Sequence, residues 1–118
     1  MNNKQKGDFG ELLATNYLIK NKYSIISRNY RVSFGEIDII AKSYDTIIFV
    51  EVKARSSTYY GYPSEALSIK KQEKIIETSK VFIQEFNLEN LNIRFDVIEV
   101  YLKTKEINHI ENAFLDLT

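Results

Sequence analysis

The sequence contains no cysteine and has only one proline, one histidine and four glycines. Without cysteine the chain has neither a disulfide framework nor a thiolate nucleophile. Proline and glycine are scarce and apolar residues recur along most of the chain, which argues against a disordered protein. We therefore expect an ordered domain without thiol chemistry.

Long apolar runs are also missing. No stretch approaches the roughly 20 residues that are needed to span a membrane, and residues 1–6 lack the apolar segment of a secretory signal. The length of 118 residues is typical of one domain and too short for two. We expect a single domain over residues 1–118, located in the cytoplasm and not bound to a membrane.

The chain has no excess of charge of either sign, because 16 Lys and Arg residues balance 16 Asp and Glu residues. A protein that coats DNA is usually strongly basic, since neutralising phosphates supplies most of the non-specific affinity. The neutral total favours a local basic patch instead. Basic residues cluster at Lys4/Lys6, at Lys53/Arg55 and at Lys70/Lys71/Lys74. Ordinary solvated surfaces contain such clusters too, and both interpretations stay open.

The apolar pattern predicts an α/β domain with a mixed β-sheet flanked by helices, in the order α-β-β-β-α-β with a further edge strand after it. The first half comprises a helix over 7–20 that starts at Gly7 or Asp8, a strand over 23–31, and strands over 35–41 and 47–53. In the second half, a loop over 59–63 precedes a long helix with Ser64 as its N-cap and a buried stripe that runs to Phe86. A strand over 92–102 changes phase after Val97, which indicates a bulge or burial on both faces. The edge strand covers 106–110.

The two strands over 35–41 and 47–53 form a hairpin in which a loop over 43–46 places Lys42 opposite Ile47. In this register one face carries the apolar pairs Ile37–Val52, Ile39–Val50 and Ala41–Ile48. The other face carries the pairs Asp38–Glu51 and Glu36–Lys53, with Ile40 and Phe49 nearer the turn. A slip of one residue would place charged groups opposite apolar ones, so the pattern supports the register.

The hairpin predicts a metal site made by Asp38 and Glu51. Carboxylates that face each other across a hairpin have Cβ atoms about 4.5–5.5 Å apart, so both can reach one hard cation such as Mg²⁺ or Mn²⁺. Lys53 emerges on the same face and can orient a metal-bound water or stabilise charge on a phosphate. These groups are what hydrolysis of a phosphodiester needs. The alternative is a solvated strand face with a cross-strand ion pair.

The same residues carry a family resemblance. Gly35-Glu36-Ile37-Asp38 followed by residues 49–55, Phe-Val-Glu-Val-Lys-Ala-Arg, resembles the signature of the PD-(D/E)xK nuclease superfamily, with Ile37 in the position of the motif's proline. More narrowly, the chain resembles the YraN-type bacterial family, which is similar to archaeal Holliday-junction resolvases. The match extends over nearly the whole chain, with further similarity at residues 6–14, 68–74, 94–98 and 112–114.

The resemblance implies a restriction-endonuclease-like fold and DNA, including branched DNA, as the substrate. Asp38 and Glu51 would be the metal ligands and Lys53 the catalytic lysine. Glu11 would be a further acidic member of the site, and Gln72 an auxiliary polar residue. A two-fold symmetric substrate suits a homodimer. The alternative function is a non-catalytic DNA-binding or adaptor domain that retains the nuclease fold.

Several other residues are candidates for contact with DNA. Lys71 and Lys74 share a helix face and can follow a phosphate backbone. Arg55 can contact a phosphate or form a surface ion pair. Three tyrosines in the predicted loop can stack on bases or pack on the sheet, namely Tyr59, Tyr60 and Tyr62. His109 has no clustered ligands and is expected to be structural.

Overall fold

The computed structural model describes residues 1–56 and 67–116. That part of the chain forms, in order, α1 (Asn3–Lys20), β1 (Ser24–Val32), β2 (Gly35–Ser43), β3 (Thr46–Arg55), α2 (Ile69–Glu85), β4 (Asn92–Tyr101) and β5 (Glu106–Phe114). This order confirms the predicted α/β architecture, including the strand after β4. The predicted loop 59–63 with its three tyrosines and the predicted N-cap Ser64 lie outside the described residues.

The five strands form one sheet in the order β1-β2-β3-β4-β5. The β3–β4 pair is parallel and the other three pairs are antiparallel. A parallel pair needs a crossover connection of a dozen or more residues, and α2 lies in the connection between β3 and β4. In this strand order β3 is the central strand. The helices α1 and α2 cover opposite faces of the sheet.

Each helix covers its own apolar cluster. On the α1 face, Ala14 and Leu18 pack with the buried residues Ile39, Ile48, Val50, Ile98 and Val100. On the α2 face, Ile75, Ile76 and Phe82 pack with Ile37, Ile40, Ile47, Phe49, Phe95 and Phe114. β4 is buried on both faces from Phe95 to Tyr101, which confirms one of the two interpretations of its pattern.

The register of the central hairpin is confirmed next to the turn. Lys42 pairs with Ile47, Ala41 with Ile48 and Ile39 with Val50. The strands extend further than predicted, so the turn has two residues, of which Tyr44 has the positive φ of 55° that tight hairpins favour. Beyond Ile39–Val50 the backbone ladder ends, so the predicted pairs Ile37–Val52, Asp38–Glu51 and Glu36–Lys53 are not ladder pairs.

The prediction that Ile37 shares a face with Ile39 is wrong. Ile37 packs in the α2 cluster and Ile39 in the α1 cluster, although they are two residues apart. The β1–β2 ladder passes from Arg28–Ile39 to Tyr30–Ile37 and omits Asn29 and Asp38. The alternation of side chains on β2 is therefore broken at Asp38, between these two isoleucines.

Both helix starts differ from the predictions. α1 begins at Asn3 rather than near Gly7, because Asn2 and Gln5 form a capping box in which each side chain accepts the other's backbone N–H. α2 begins at Ile69 with Ser68 as N-cap, so the prediction of a helix running from Ser64 is wrong.

The far end of α2 also differs in part from the prediction. Phe86, predicted to lie in the buried stripe, is the C-cap residue and is 52% exposed. Neither described helix is long and apolar enough to cross a membrane.

Two glycines of α1 give opposite predictions for stability. A Cβ on Gly10 would lie 2.9 Å from the Cβ of Ala54 in β3, whereas a Cβ on Gly7 would meet nothing within 4 Å. We expect Gly10→Ala to lower the free energy of unfolding by about 1–3 kcal/mol through overpacking. Gly7→Ala should raise it by up to about 1 kcal/mol through helix propensity. Urea denaturation of both variants checks this, and equal effects would contradict the close approach of α1 to β3.

Candidate functional site

The predicted site lies at the end of the β2–β3 hairpin that is remote from its turn. Asp38 lies just beyond the last ladder pair, Ile39–Val50. At this position its carboxylate, rather than a backbone carbonyl, accepts a hydrogen bond from β3. The backbone N–H of Val52 donates to Oδ2 of Asp38 over 2.8 Å. A charge-assisted bond of this kind fixes the orientation of the carboxylate, so Asp38 is held in place by β3 itself.

Asp38 and Glu51 are brought together, and both carboxyl groups are largely buried. Burial, and next the proximity of Asp38, raise the pKa of Glu51 from 4.5 to about 7. Burial also raises the pKa of Asp38, although the hydrogen bond from Val52 opposes this effect and Glu36 adds to it. Two adjacent acids in a buried site disfavour their own ionisation. The pair would be stabilised by a cation between them.

Lys71 contacts this pair, whereas the predicted Lys53 has no recorded contact with either carboxylate. Nζ of Lys71, in the first turn of α2, is 3.5 Å from Oε1 of Glu51, and its charge lowers the pKa of both carboxyl groups. Lys53 is half-buried on β3 and forms no hydrogen bond or ion pair with any described residue. Its ammonium group therefore has no protein partner in the described part of the chain.

Glu11 also approaches the pair, from α1. Burial and then the carboxylate of Asp38 raise the pKa of Glu11. Nη2 of Arg28 is 3.7 Å from Oε1 of Glu11, yet this buried oxygen accepts no hydrogen bond. Gly10 allows α1 to approach β3 closely at the preceding residue. The structure thus places Glu11, as the resemblance implied, on the same side of the molecule as Asp38.

The remaining predicted residues have other partners. Gln72 donates from Nε2 to the carbonyl of Leu67 over 2.9 Å, so it fastens the segment that enters α2. Arg55 forms an ion pair with the buried Glu99, with Nε 3.4 Å from Oε2, as one of the two interpretations expected. One nitrogen of Arg55, Nη2, is buried without a hydrogen-bond partner.

Glu36 is near the pair but is not bound to Lys53. Its carboxylate lies 3.3 Å from Nε of Arg31 on β1. The pairing of Arg31 with Glu36 in the β1–β2 ladder accounts for this contact. Sequence reasoning missed Arg31 and Arg28, because each faces the site from β1, whose solvated pattern gives no sign of a functional role.

A separate polar network ties α1 to the far half of the sheet. Nε2 of His109 is 2.7 Å from Oδ2 of the fully buried Asp96, and Nδ1 is 2.9 Å from the hydroxyl of Tyr17. Burial alone would raise the pKa of Asp96, but hydrogen bonds from His109 and Arg94 hold it below its ordinary value. This satisfied network agrees with the structural role expected for His109.

The side chains present suit a cation with few protein ligands. Within residues 1–56 and 67–116, no group of three or more acidic or histidine side chains is arranged to hold a metal ion. Asp38 and Glu51 would therefore supply two carboxylates. Mg²⁺ commonly binds one or two protein carboxylates and completes its shell with water and substrate phosphates. The raised pKa of Glu51 and the buried Oε1 of Glu11, which accepts no hydrogen bond, both fit a cation at this place.

The fold and site define a small α/β protein with a mixed five-stranded sheet and a buried pair of acids on the central hairpin. The model of the Uncharacterised protein family UPF0102 matches residues 10–100. The chain is 60% identical to a UPF0102 protein of Clostridioides difficile over 97% of its own length and 100% of the relative. It is 50% identical to a UPF0102 protein of Clostridium acetobutylicum over 95% of both chains. The chain belongs to the UPF0102 family, which confirms the resemblance to YraN-type proteins.

A solved structure shows weaker similarity. The structure of Pyrococcus furiosus SfsA in complex with Ca²⁺ aligns with 92% of this chain and 63% of its own, at 19% identity and a TM-score of 0.32. Because this score is low, the likeness says nothing about what the present chain binds or does.

Proposed function

We propose that the protein is a metal-dependent endonuclease that hydrolyses phosphodiester bonds of DNA, with Mg²⁺ or Mn²⁺ held by Asp38 and Glu51. The observation that carries this proposal is the largely buried pair itself, because burial raises the pKa of both carboxyl groups and Asp38 raises that of Glu51 further. A divalent cation bound by both carboxylates would offset this cost of ionisation. A surface that only binds DNA has no use for acids turned towards phosphates. The resemblance to PD-(D/E)xK nucleases supports the same assignment.

The chain's own residues have distinct tasks in this proposal. The N–H of Val52 keeps the Asp38 carboxylate turned towards Glu51. The ammonium of Lys53, which has no partner among the described residues, is available to a water nucleophile or to the charge that develops on a phosphate. A bound divalent ion would supply an acidified water and a polarised phosphoryl oxygen.

Glu11 and Gln72 have supporting parts. Oε1 of Glu11 lies in an ion pair with Arg28 but accepts no hydrogen bond from the protein, so it can accept one from water next to Asp38. Gln72 holds the segment before α2 through the carbonyl of Leu67, and this places the first turn of the helix, with Lys71, against Glu51. Gln72 is thus assigned to positioning.

Contacts with the DNA backbone are assigned to the exposed face of α2. Lys71 and Lys74 lie one turn apart in the first half of the helix and are both exposed. Arg55 is a weaker candidate, because Glu99 already binds its guanidinium group. We also propose that branched DNA is the preferred substrate. A homodimer would be the active form, since a junction with two-fold symmetry suits a dimer with two-fold symmetry.

Cleavage assays test this proposal. Labelled four-way junctions and a duplex of matched sequence are incubated with the protein and Mg²⁺, Mn²⁺ or EDTA. We expect cutting with either ion, none in EDTA, and faster cutting of the junction. Light scattering of the protein with the junction reports the oligomeric state. Binding of DNA without cutting under any condition would favour the adaptor function instead.

A further inference from the structure

A groove with a volume of about 300 Å³ lies between the turn that joins β1 to β2 and the first half of α2. Its lining includes three basic side chains, Arg31, Lys71 and Lys74, and the aromatic ring of Phe34. Phe34 is 49% exposed at the turn and has no ring contact with another described residue. Proteins that bind single-stranded nucleic acid combine a positively charged groove with aromatic side chains on which bases stack.

The groove adjoins the candidate metal site. Lys71 belongs to both, since its Nζ is 3.5 Å from Oε1 of Glu51 and its side chain lines the groove. Glu36 also lines the groove, where it forms an ion pair with Arg31. A DNA strand with one phosphate at the acidic pair would therefore have its next nucleotide at the groove.

The walls of the groove are held firmly together. A Cβ on Gly35 would overlap Oγ1 of Thr78 and would lie 3.3 Å from the carbonyl of Lys74. Thr78 is fully buried and donates to that carbonyl over 2.7 Å. The absence of a side chain at Gly35 thus lets the β1–β2 turn pack directly on α2. Phe34 is adjacent to Gly35, so the backbone that carries its ring is held against α2.

We propose, on the basis of the nuclease function above, that this groove receives an unpaired nucleotide next to the scissile phosphate, with its base stacked on Phe34 and its phosphate near Arg31 and Lys74. Every base has a π-face that can stack on an aromatic ring, so such a site has little sequence preference. In a duplex both faces of a base are covered by its neighbours. The substrate class is therefore DNA with unpaired bases at the cut, as at a branch, fork or flap.

A tryptophan reporter tests stacking directly, because the chain contains no tryptophan. In Phe34→Trp, emission is recorded in EDTA during titration with a single-stranded oligonucleotide and with a duplex of the same sequence. We expect saturable quenching by the single strand and little by the duplex. Tyr44→Trp is the matched control, because Tyr44 is 94% exposed in the turn at the opposite end of β2. Its emission should change little with either DNA.

Binding constants provide a second measurement. Phe34→Ser should weaken binding of the single strand about fivefold or more, while Tyr44→Ser should not. Arg31→Gln should reduce the dependence of binding on salt by about one phosphate contact. Equal quenching by both DNAs, or unchanged single-strand binding by Phe34→Ser, would overturn the proposal. These titrations contain no metal and do not depend on cleavage. A protein that shows the expected quenching but cuts no DNA with Mg²⁺ or Mn²⁺ would therefore refute the nuclease function and leave the groove as a nucleotide-binding site.

Discussion

Asp38→Asn is expected to reduce metal-dependent cleavage of DNA by more than about a hundredfold. Removal of a group that only orients a metal ligand typically costs 10- to 100-fold in metal affinity or activity, and Asp38 is proposed as a ligand itself. Asparagine has nearly the same shape and can still accept the hydrogen bond from Val52, so the fold should survive. Initial rates on a labelled junction, with Mn²⁺ in excess, measure the effect.

Asp45→Asn is the matched control for this experiment. Asp45 is exposed in the turn of the same hairpin, at the end remote from the acidic pair, and the substitution is chemically identical. We expect its cleavage rate to equal that of the original protein. Cleavage that persists in Asp38→Asn at the normal rate would show that the acidic pair is not the catalytic centre.

Glu51→Gln is expected to abolish activity and yet to stabilise the metal-free protein at pH 8. A carboxyl group whose pKa rises from 4.5 to about 7 on folding opposes folding by about 3 kcal/mol when ionised. The contact with Lys71 already lowers this pKa, so its loss in the variant is contained in the figure. We therefore expect the free energy of unfolding in EDTA to rise by about 3 kcal/mol.

This gain should depend on pH in a defined direction. Between pH 4.5 and about 7 the folded protein retains the proton of Glu51 while the unfolded chain has lost it, so stability falls as the pH rises through this range. The advantage of Glu51→Gln should thus be largest above pH 7 and should vanish near pH 4. Asp96 has a lowered pKa and the opposite pH dependence, but it is present in both proteins and cancels in the comparison.

Urea denaturation at several pH values provides these numbers. Glu89→Gln, at an exposed residue between α2 and β4, is the control and should change stability by less than about 0.5 kcal/mol. If Glu51→Gln destabilises the protein at pH 8, the carboxyl pair is held by contacts stronger than its repulsion, and a cation is not needed to explain it.

The register next to the turn was predictable because alternation over residues 39–50 permits only one pairing. Charged residues at one end and isoleucines nearer the turn require Lys42 opposite Ile47, as the structure has it. The face of Ile37 was not predictable in the same way. The alternation on β2 breaks at Asp38, with Ile37 in the α2 cluster and Ile39 in the α1 cluster, and no glycine or proline between the two marks an irregularity in the sequence.

The site, too, was only partly predictable from the sequence. Asp38 and Glu51 belong to the hairpin, so the local pattern predicts that they lie together, as they do; a role of Lys53 beside them stays a prediction. The contact of Lys71 with Glu51 and the groove beside Phe34 depend on how α2 packs on the β1–β2 turn. Contacts between elements distant in sequence cannot be predicted from periodicity. For this reason the sequence indicated only that Lys71 and Lys74 share a face of α2, and not that Lys71 contacts Glu51.

Binding of Mn²⁺ measured by calorimetry tests the central claim most directly. The proteins compared are the original chain, Asp38→Asn, Glu51→Gln and the control Asp45→Asn, at pH 8 and again at pH 6. We predict saturable binding to the original chain and the control, weaker binding at pH 6 because protons compete for Glu51, and no binding to the two site variants. Absence of binding to the original chain, or equal binding to all four proteins, would contradict a metal site at Asp38 and Glu51.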